Sequence, residues 1–341
     1  MSWKSLIAYA GAALLALSVG SARAADGPIV VKFPHDVPVT QIKGMGAERL
    51  KKLVAERMKG RMVVQVYPNG QLYPNERDAL AALQQGAVQL VQPTFAKWTP
   101  VVPAFSVFEL PFVVTSERVM RKAMDSPEIG GKLFVEKLAE KGLFPLEVAP
   151  NGFRQMDMRK KRITKLEDFA GLKVRIQDST TFTAFMKYAH AIPVPIAFAE
   201  TYSAVSAGIV DGWEGPLDGI YSGKLYEVAP VISMTNHVFN AYLMATNKQW
   251  WDSLPPDIRT DFKKILDEVA DWQWDVAAKM QKEGREKLLK AGVKIYEIDP
   301  AEKQRMVKYF RGMHEQFKDV VGQETLDAMY RLADEDAKQT H

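Results

Sequence analysis

The chain has 341 residues, 25% of them charged and 47% hydrophobic, with 45 Lys and Arg against 41 Asp and Glu and no cysteine. The near-balance of charge argues against nucleic acid as a partner, and the missing cysteine excludes disulfides, thiol chemistry and a lipidated N-terminal cysteine. The length suffices for two domains with real cores.

Residues 1–24 read as a secretory signal. Lys4 supplies a positive start, Leu6 to Val19 is uncharged and apolar but short for a bilayer span, and Ala22-Arg23-Ala24 fits the small-x-small cleavage rule. The mature chain is expected to begin at Ala25, to be exported to a bacterial periplasm and not to be lipid-anchored. A retained membrane anchor is the rival reading. Cleavage would remove Lys4 and Arg23, taking the formal charge from +4 to about +2.

The mature sequence first alternates strand and helix. Ile29 to Phe33 predicts a strand and Thr40 to Lys59 a helix with one apolar face, ended by Gly60. Met62 to Tyr67 predicts a strand, Pro68-Asn69-Gly70 a turn, Asn75 the cap of a helix over Glu76 to Gln85, and Ala87 to Gln92 a third strand. Such a βαβαβ run implies a parallel sheet whose ligand sits at the carboxyl ends of its strands, here His35, Tyr67 to Tyr73 and Gln92 to Phe95. A second α/β unit follows. Its strands are read over Leu143 to Ala149, Phe153 to Met158, Leu172 to Gln177 and Ile209 to Trp213, with helices over Ser179 to Tyr188 and Ala199 to Ala207. Val231 to Thr235 and Val238 to Thr246 read as strands that could return to the first unit.

Pro256 to Ala291 carries a helical stripe of Ile258, Phe262, Ile265, Val269, Trp272 and Val276, continued by Leu288 and Leu289. At 1.5 Å per residue it would reach about 50 Å, more than one small domain, so it is expected to run along both. Helices over Ala301 to Lys318 and Gln323 to Lys338 close the chain.

Motifs for phosphate loops, zinc proteases, nucleophile elbows and dinucleotides are absent, and none of the five histidines has metal-ligand spacing to another. No metal or cofactor is expected. The sharpest feature is Arg175, on an apolar strand that should be mostly buried. A buried guanidinium is costly unless an anion meets it. A ligand carboxylate and a structural Asp or Glu fit it equally. Arg154 has the same two readings, and arginines on neighbouring strands could share one acid. Trp213 reads as a pocket wall or as interdomain packing. Glu214 reads as a structural hydrogen-bond acceptor. Phe198, ahead of a helix, could overhang the Arg175 strand. The basic run Arg159 to Arg162 fits a solvated turn, with a docking patch as the minority reading.

Together these segments resemble the substrate-binding proteins of tripartite ATP-independent periplasmic (TRAP) transporters, the DctP-like family. The resemblance rests on His35 with Lys43-Gly44, Tyr67-Pro68-Asn69-Gly70-Gln71-Leu72, Glu109-Leu110-Pro111-Phe112, Gly152-Phe153-Arg154-Gln155, Gly171 to Arg175, Ala197 to Tyr202, Val210 to Pro216, Thr235-Asn236-His237 and Asn247 to Pro255. Each is unspecific alone; their order and spacing are specific.

The resemblance implies an α/β, two-lobed periplasmic binding protein fold with a long helix spanning both lobes. Lobe I would comprise 25–151 plus about 240–280, and lobe II 152–239 plus about 281–333. It implies a solute receptor that closes on a small organic acid and hands it to TRAP membrane permease subunits; a monomer is expected, though the sequence leaves dimerisation open. Arg175 would pair with the ligand carboxylate, Arg154 would be a second contact and Phe198 a pocket wall. Glu76, Thr94 and, with them, His35, Lys43, Trp213, Gly215 and Phe239 complete the candidate set. One departure matters. The family segment Asp-Gly-Gln-Glu-Asn-Pro is here Asp-Gly-Trp-Glu-Gly-Pro, so Gly215 loses a polar side chain and is expected to open space. That turns the expectation from a plain C4-dicarboxylate toward a bulkier or partly aromatic acid. The rival functions are a periplasmic enzyme acting on an acid and the binding protein of an ATP-driven importer. The long helix discriminates against the second.

Overall fold

The computed structural model describes residues 27–339, so the expected signal over 1–24 and His341 lie outside them. Strand β1 (Ile29–Pro34) pairs in parallel with β2 (Met62–Tyr67), and helix α1 (Ile42–Met58) crosses between them. Its apolar face, Leu50, Leu53, Val54 and Met58, is buried, and the helix ends at the C-cap Lys59, followed by Gly60, both at positive φ. Helix α2 (Glu76–Gln84) starts where the Asn75 side chain accepts from the Arg77 N–H.

Ala87 to Gln92 was expected as a strand but forms no continuous ladder. Gln89 and Leu90 donate to the Lys32 carbonyl, and Val91 and Thr94 make single bridges to Ala245 and Tyr242. Residues 103–142, which carry little periodicity, hold a 3-10 segment (Pro103–Glu109), helix α3 (Glu117–Asp125) and a wide π-type turn (Pro127–Glu136).

The two expected strands over 143–158 are one, β3 (Leu143–Met158), whose two halves pair with different strands. Its first half pairs antiparallel with β8 (Phe239–Asn247), with register shifts at Pro145/Glu147 and Pro150/Gly152. Its second half lies in a sheet ordered β5 (Ile192–Pro195), β4 (Lys173–Ile176), β6 (Gly212–Pro216), β3, β7 (Val231–Met234) and β9 (Lys294–Glu297). The crossing point is Gly152, at φ +93°, where a Cβ would fall 2.2 Å from the Gln281 amide nitrogen. No other residue fits there without strain.

Helix α4 (Thr180–Tyr188) follows β4, with Ser179 accepting from two of its first N–H groups. Helix α5 (Phe198–Ser206) follows β5 and α6 (Leu217–Ser222) follows β6. Strands β5 and β9 escape the sequence pattern because they are short and half-exposed. The strand expected over Ile209 to Trp213 sits three residues later. Ile209 is exposed, and Asp211 turns back to accept from the Lys173 N–H. Of the two returning strands, β8 pairs with the first half of β3 and bridges Val91 and Thr94, whereas β7 stays beside β3 and β9.

After α7 (Lys248–Ser253) comes α8 (Pro256–Lys290), the long helix, 35 residues. It packs on α1, on β3 and on α6, so it does cross between the two sheets. Trp274 donates to the Val148 carbonyl at 3.0 Å, Gln273 to Ile42 and Gln281 to Asn151. Leu289 is exposed, so the stripe ends at Leu288. Helix α9 (Pro300–His314) packs on α4, whereas α10 (Gln323–Gln339) packs on α3 and the 127–136 turn. The C-terminal part of the expected second lobe therefore lies against the first. Among the described residues no helix is long and apolar enough to cross a membrane.

Glu109 and Ser179 join the 103–109 segment to α4, the serine donating at 2.9 Å, while the second carboxylate oxygen is buried without a partner. Burial pushes this carboxyl up from 4.5 to about 7, with Ser179 opposing. A raised folded-state pKa stabilises below the unfolded value and is lost as pH rises through about 7. Glu109→Gln is therefore expected to narrow the fall in unfolding free energy between pH 6 and pH 8 by about 1 kcal/mol, read from denaturant titrations at both pH values. An unchanged fall would place the titration elsewhere.

Candidate functional site

A cavity with an empty volume of about 410 Å³, its mouth included, lies where β4, β6 and the middle of β3 face α1, α2 and β8. Arg175, Arg154, Lys43, Glu76, Thr94, Phe198 and Trp213 of the expected set line it.

Arg175 is the third residue of β4, opposite Val194 of β5 and Trp213 of β6. Its side chain is buried, and its Nε donates to the Ile196 carbonyl at 2.9 Å. Among the described residues no carboxylate reaches it at ion-pair distance. Burial pushes the guanidinium down from 12.5 to about 10, against the pull of Glu214. The group remains charged at neutral pH and unneutralised by contact.

Arg154 lies in the same cavity but is committed. Its Nε and Nη2 fork onto both oxygens of Glu214, and Nη2 also donates to the Glu214 carbonyl at 2.7 Å. Arg154 thus makes the ion pair that one of its two readings expected. Burial pushes Glu214 up, but Arg154 and His237 together hold it below its ordinary value. Glu214 is thus the acceptor that the sequence suggested.

Lys43 is committed too. Its Nζ reaches Asp36 at 2.7 Å and Glu76 at 2.6 Å, and lies 4.6 Å from the Tyr242 ring centre. Burial would discharge it, but the two carboxylates hold its pKa above the usual value. Glu76 is pushed up by burial and by Asp36.

Several cavity groups were not picked out by sequence reasoning. Asn151, Gln177 and Asn240 line the cavity, and their Oδ1, Nε2 and Nδ2 atoms respectively are buried without a hydrogen-bond partner. Asn151 and Gln177 fell beside motifs that were noticed; Asn240 follows Phe239 on β8 and carries no local signal. Bonds also cross the cavity: Thr94 Oγ1 to Gln177 at 2.8 Å, Gln41 to Ser222 at 3.0 Å, and the Ile42 N–H to Asp218 at 3.2 Å. Burial pushes Asp218 up to about 6, with the Ile42 N–H opposing.

Three expected residues lie elsewhere. Phe239 packs on Phe153 and Trp274 in the core, because β8 turns that face toward α8. His35 lines a smaller chamber behind the cavity with Gln92 and Tyr73, and burial first, then Lys43, lowers it to about 4. Gly215 opens no space. A Cβ there would fall 2.2 Å from the Trp213 ring, which already fills that volume and also touches Gly219. Trp213 is thus both wall and packing. Its Nε1 donates to Asp157 at 2.6 Å, it lies 6.1 Å from Phe198, and Arg175 sits 5.8 Å over its ring. Asp157 is fully buried and pushed well above the ordinary carboxyl range.

The profile of the bacterial extracellular solute-binding protein family 7 (DctP) matches residues 33–319. The chain belongs to that family. It is 34% identical over 324 residues to the C4-dicarboxylate-binding periplasmic protein DctP of Rhodobacter capsulatus, covering 94% of this chain and 96% of that one. Among solved structures it resembles a TRAP periplasmic solute-binding protein from Shewanella oneidensis with bound succinate, at TM-score 0.86 and 30% identity, over 90% of this chain and 99% of that one. It also resembles the sugar-acid-binding DctPAm of Advenella mimigardefordensis in complex with galactonate, at TM-score 0.86 and 28% identity, over 91% and 99%.

In this family 7 protein, any side chain at 215 must displace the indole of Trp213. Gly215→Asn is expected to destabilise the protein by about 1 to 3 kcal/mol in denaturant unfolding. Trp213→Gln combined with Gly215→Asn removes the collision and should recover most of that loss. A well-tolerated Gly215→Asn alone would show that the ring is not held there.

Proposed function

We propose that this chain is the periplasmic solute receptor of a TRAP transporter. It binds a small organic acid by its carboxylate and delivers it to a membrane permease. The observation that carries the reading is Arg175: a buried guanidinium, in a cavity, with its neighbouring cations paired and itself without an acid. A carboxylate matches the guanidinium fork and would lift the cost of leaving that charge unneutralised. Succinate and galactonate, held by the similar proteins above, share a carboxylate and little else.

The receptor performs no chemistry in this reading. The lining carboxylates Asp36 and Glu76 are held by Lys43, so neither stands ready as a base. Lobe I comprises 25–151 with about 240–280, and lobe II begins at 152 and includes β9 and α9. The bonds from Gln41, Ile42 and Thr94 to the far side of the cavity form as the lobes close, and closure excludes water and strengthens the Arg175 contact. The closed outline is what the permease distinguishes. The protein is exported with a cleaved signal.

Arg175→Met separates a ligand role from a structural one. It removes an uncompensated buried charge, so the ligand-free variant is expected to be at least as stable as the parent. Its affinity for the organic acid, measured by calorimetry, is expected to fall at least about a hundredfold. Unchanged affinity, or a strongly destabilised ligand-free variant, would reject the assignment.

A further inference from the structure

We infer that the cavity selects an acid with one carboxylate and an uncharged remainder rich in hydroxyl or oxo groups, and discriminates against dicarboxylates. This rests on the organic-acid reading above and narrows it.

The charges around the cavity decide the matter. Of the three cations lining it, Arg154 is neutralised by Glu214 and Lys43 is held between two acids. Only Arg175 is left to balance an incoming charge. Asp36, Lys43 and Glu76 together are neutral at best, so a second carboxylate at their end of the cavity meets acids without a free cation. Like charges in a low-dielectric site repel strongly. One further cation, Lys97, stands in the outer chamber that Arg175 shares. That chamber is also lined by Asp36, Glu76 and Asp178, and the Lys97 ammonium already approaches the Asp178 carbonyl at 3.5 Å. A second carboxylate there could meet Lys97 but also faces Asp36 and Glu76, which share the single ammonium of Lys43, while Asp178 is paired with Arg77 at 2.7 Å.

What the cavity offers instead is neutral. Asn151, Gln177 and Asn240 are at least nine-tenths buried and each presents an unpartnered amide atom. Such groups are costly to bury unsatisfied, and a ligand with hydroxyl or oxo groups would satisfy them. A site whose buried polar groups need partners rejects ligands that lack them by large factors. On the other side, Trp213 and Phe198 present rings that suit the C–H face of a hydroxylated chain or ring.

Two matched pairs test this by calorimetry on the full mature protein, stripped of ligand by unfolding and refolding. Galactonate and galactarate share a six-carbon chain and differ only in a terminal carboxylate; 4-hydroxybutyrate and succinate do so at four carbons. The monocarboxylate is expected to bind at least tenfold more tightly in at least one pair, with no pair reversed. Glu76→Gln removes one repelling charge, so it is expected to narrow that preference at least threefold. Equal or tighter binding of the dicarboxylate overturns the inference and leaves the organic-acid reading standing, as does a preference that Glu76→Gln leaves untouched. Binding of none of the four acids counts against the organic-acid reading itself and takes this inference with it.

Discussion

Arg175 is a buried cation that no carboxylate among the described residues reaches at ion-pair distance. Arg175 stays in place because β4 is covered on both flanks, by β5 and β6, and because the Ile196 carbonyl fixes its Nε. Its neighbours could have supplied an acid and do not. Glu214, the closest source of negative potential, is spent on Arg154 through a two-toothed pair reinforced by His237. Asp36 and Glu76 are spent on Lys43. Of the charged side chains lining the cavity, all are therefore paired except Arg175.

That arrangement needs a rigid frame, because side chains a few ångströms apart would otherwise repair the imbalance. Two long elements provide it. Strand β3 pairs with β8 along its first half and with β6 and β7 along its second, and carries Asn151, Arg154 and Asp157 on one stretch of backbone. Helix α8 lies across it and is bonded to it at Val148 and Asn151, and to α1 at Ile42. The turn at Gly152 is where strand, helix and cavity meet. Glutamine 281 fills the space that a side chain there would need.

The strand β6 shows how one residue's bulk sets the roles of its neighbours. Trp213 occupies the volume above Gly215 and beside Gly219, so the glycines are a consequence of the tryptophan and not a source of room. Asp157, in a dry environment that keeps its carboxyl up, accepts from the indole and orients it. Arg175 then has an aromatic face beside it, which favours a cation and leaves its fork free for an acid.

The sequence by itself determined the elements whose periodicity is long or whose signals are local. The 35-residue helix, the α1 face, the Asn75 cap and the arginine on an apolar strand, costly to bury, could all be read from residue order, because the chain's own spacing fixes them. The resemblance in motif order extended that to the two-lobed architecture. Short or half-exposed strands such as β5 and β9, and the merging of two apparent strands into β3, were beyond it, since pairing partners far along the chain make them. Above all, only the tertiary structure decided which arginine is free. Arg154 and Arg175 look alike in sequence, each on a strand among apolar residues. The difference lies in the distance to one carboxylate, brought in by an antiparallel register between β3 and β6. No local pattern encodes that distance, because it arises from where two remote segments meet.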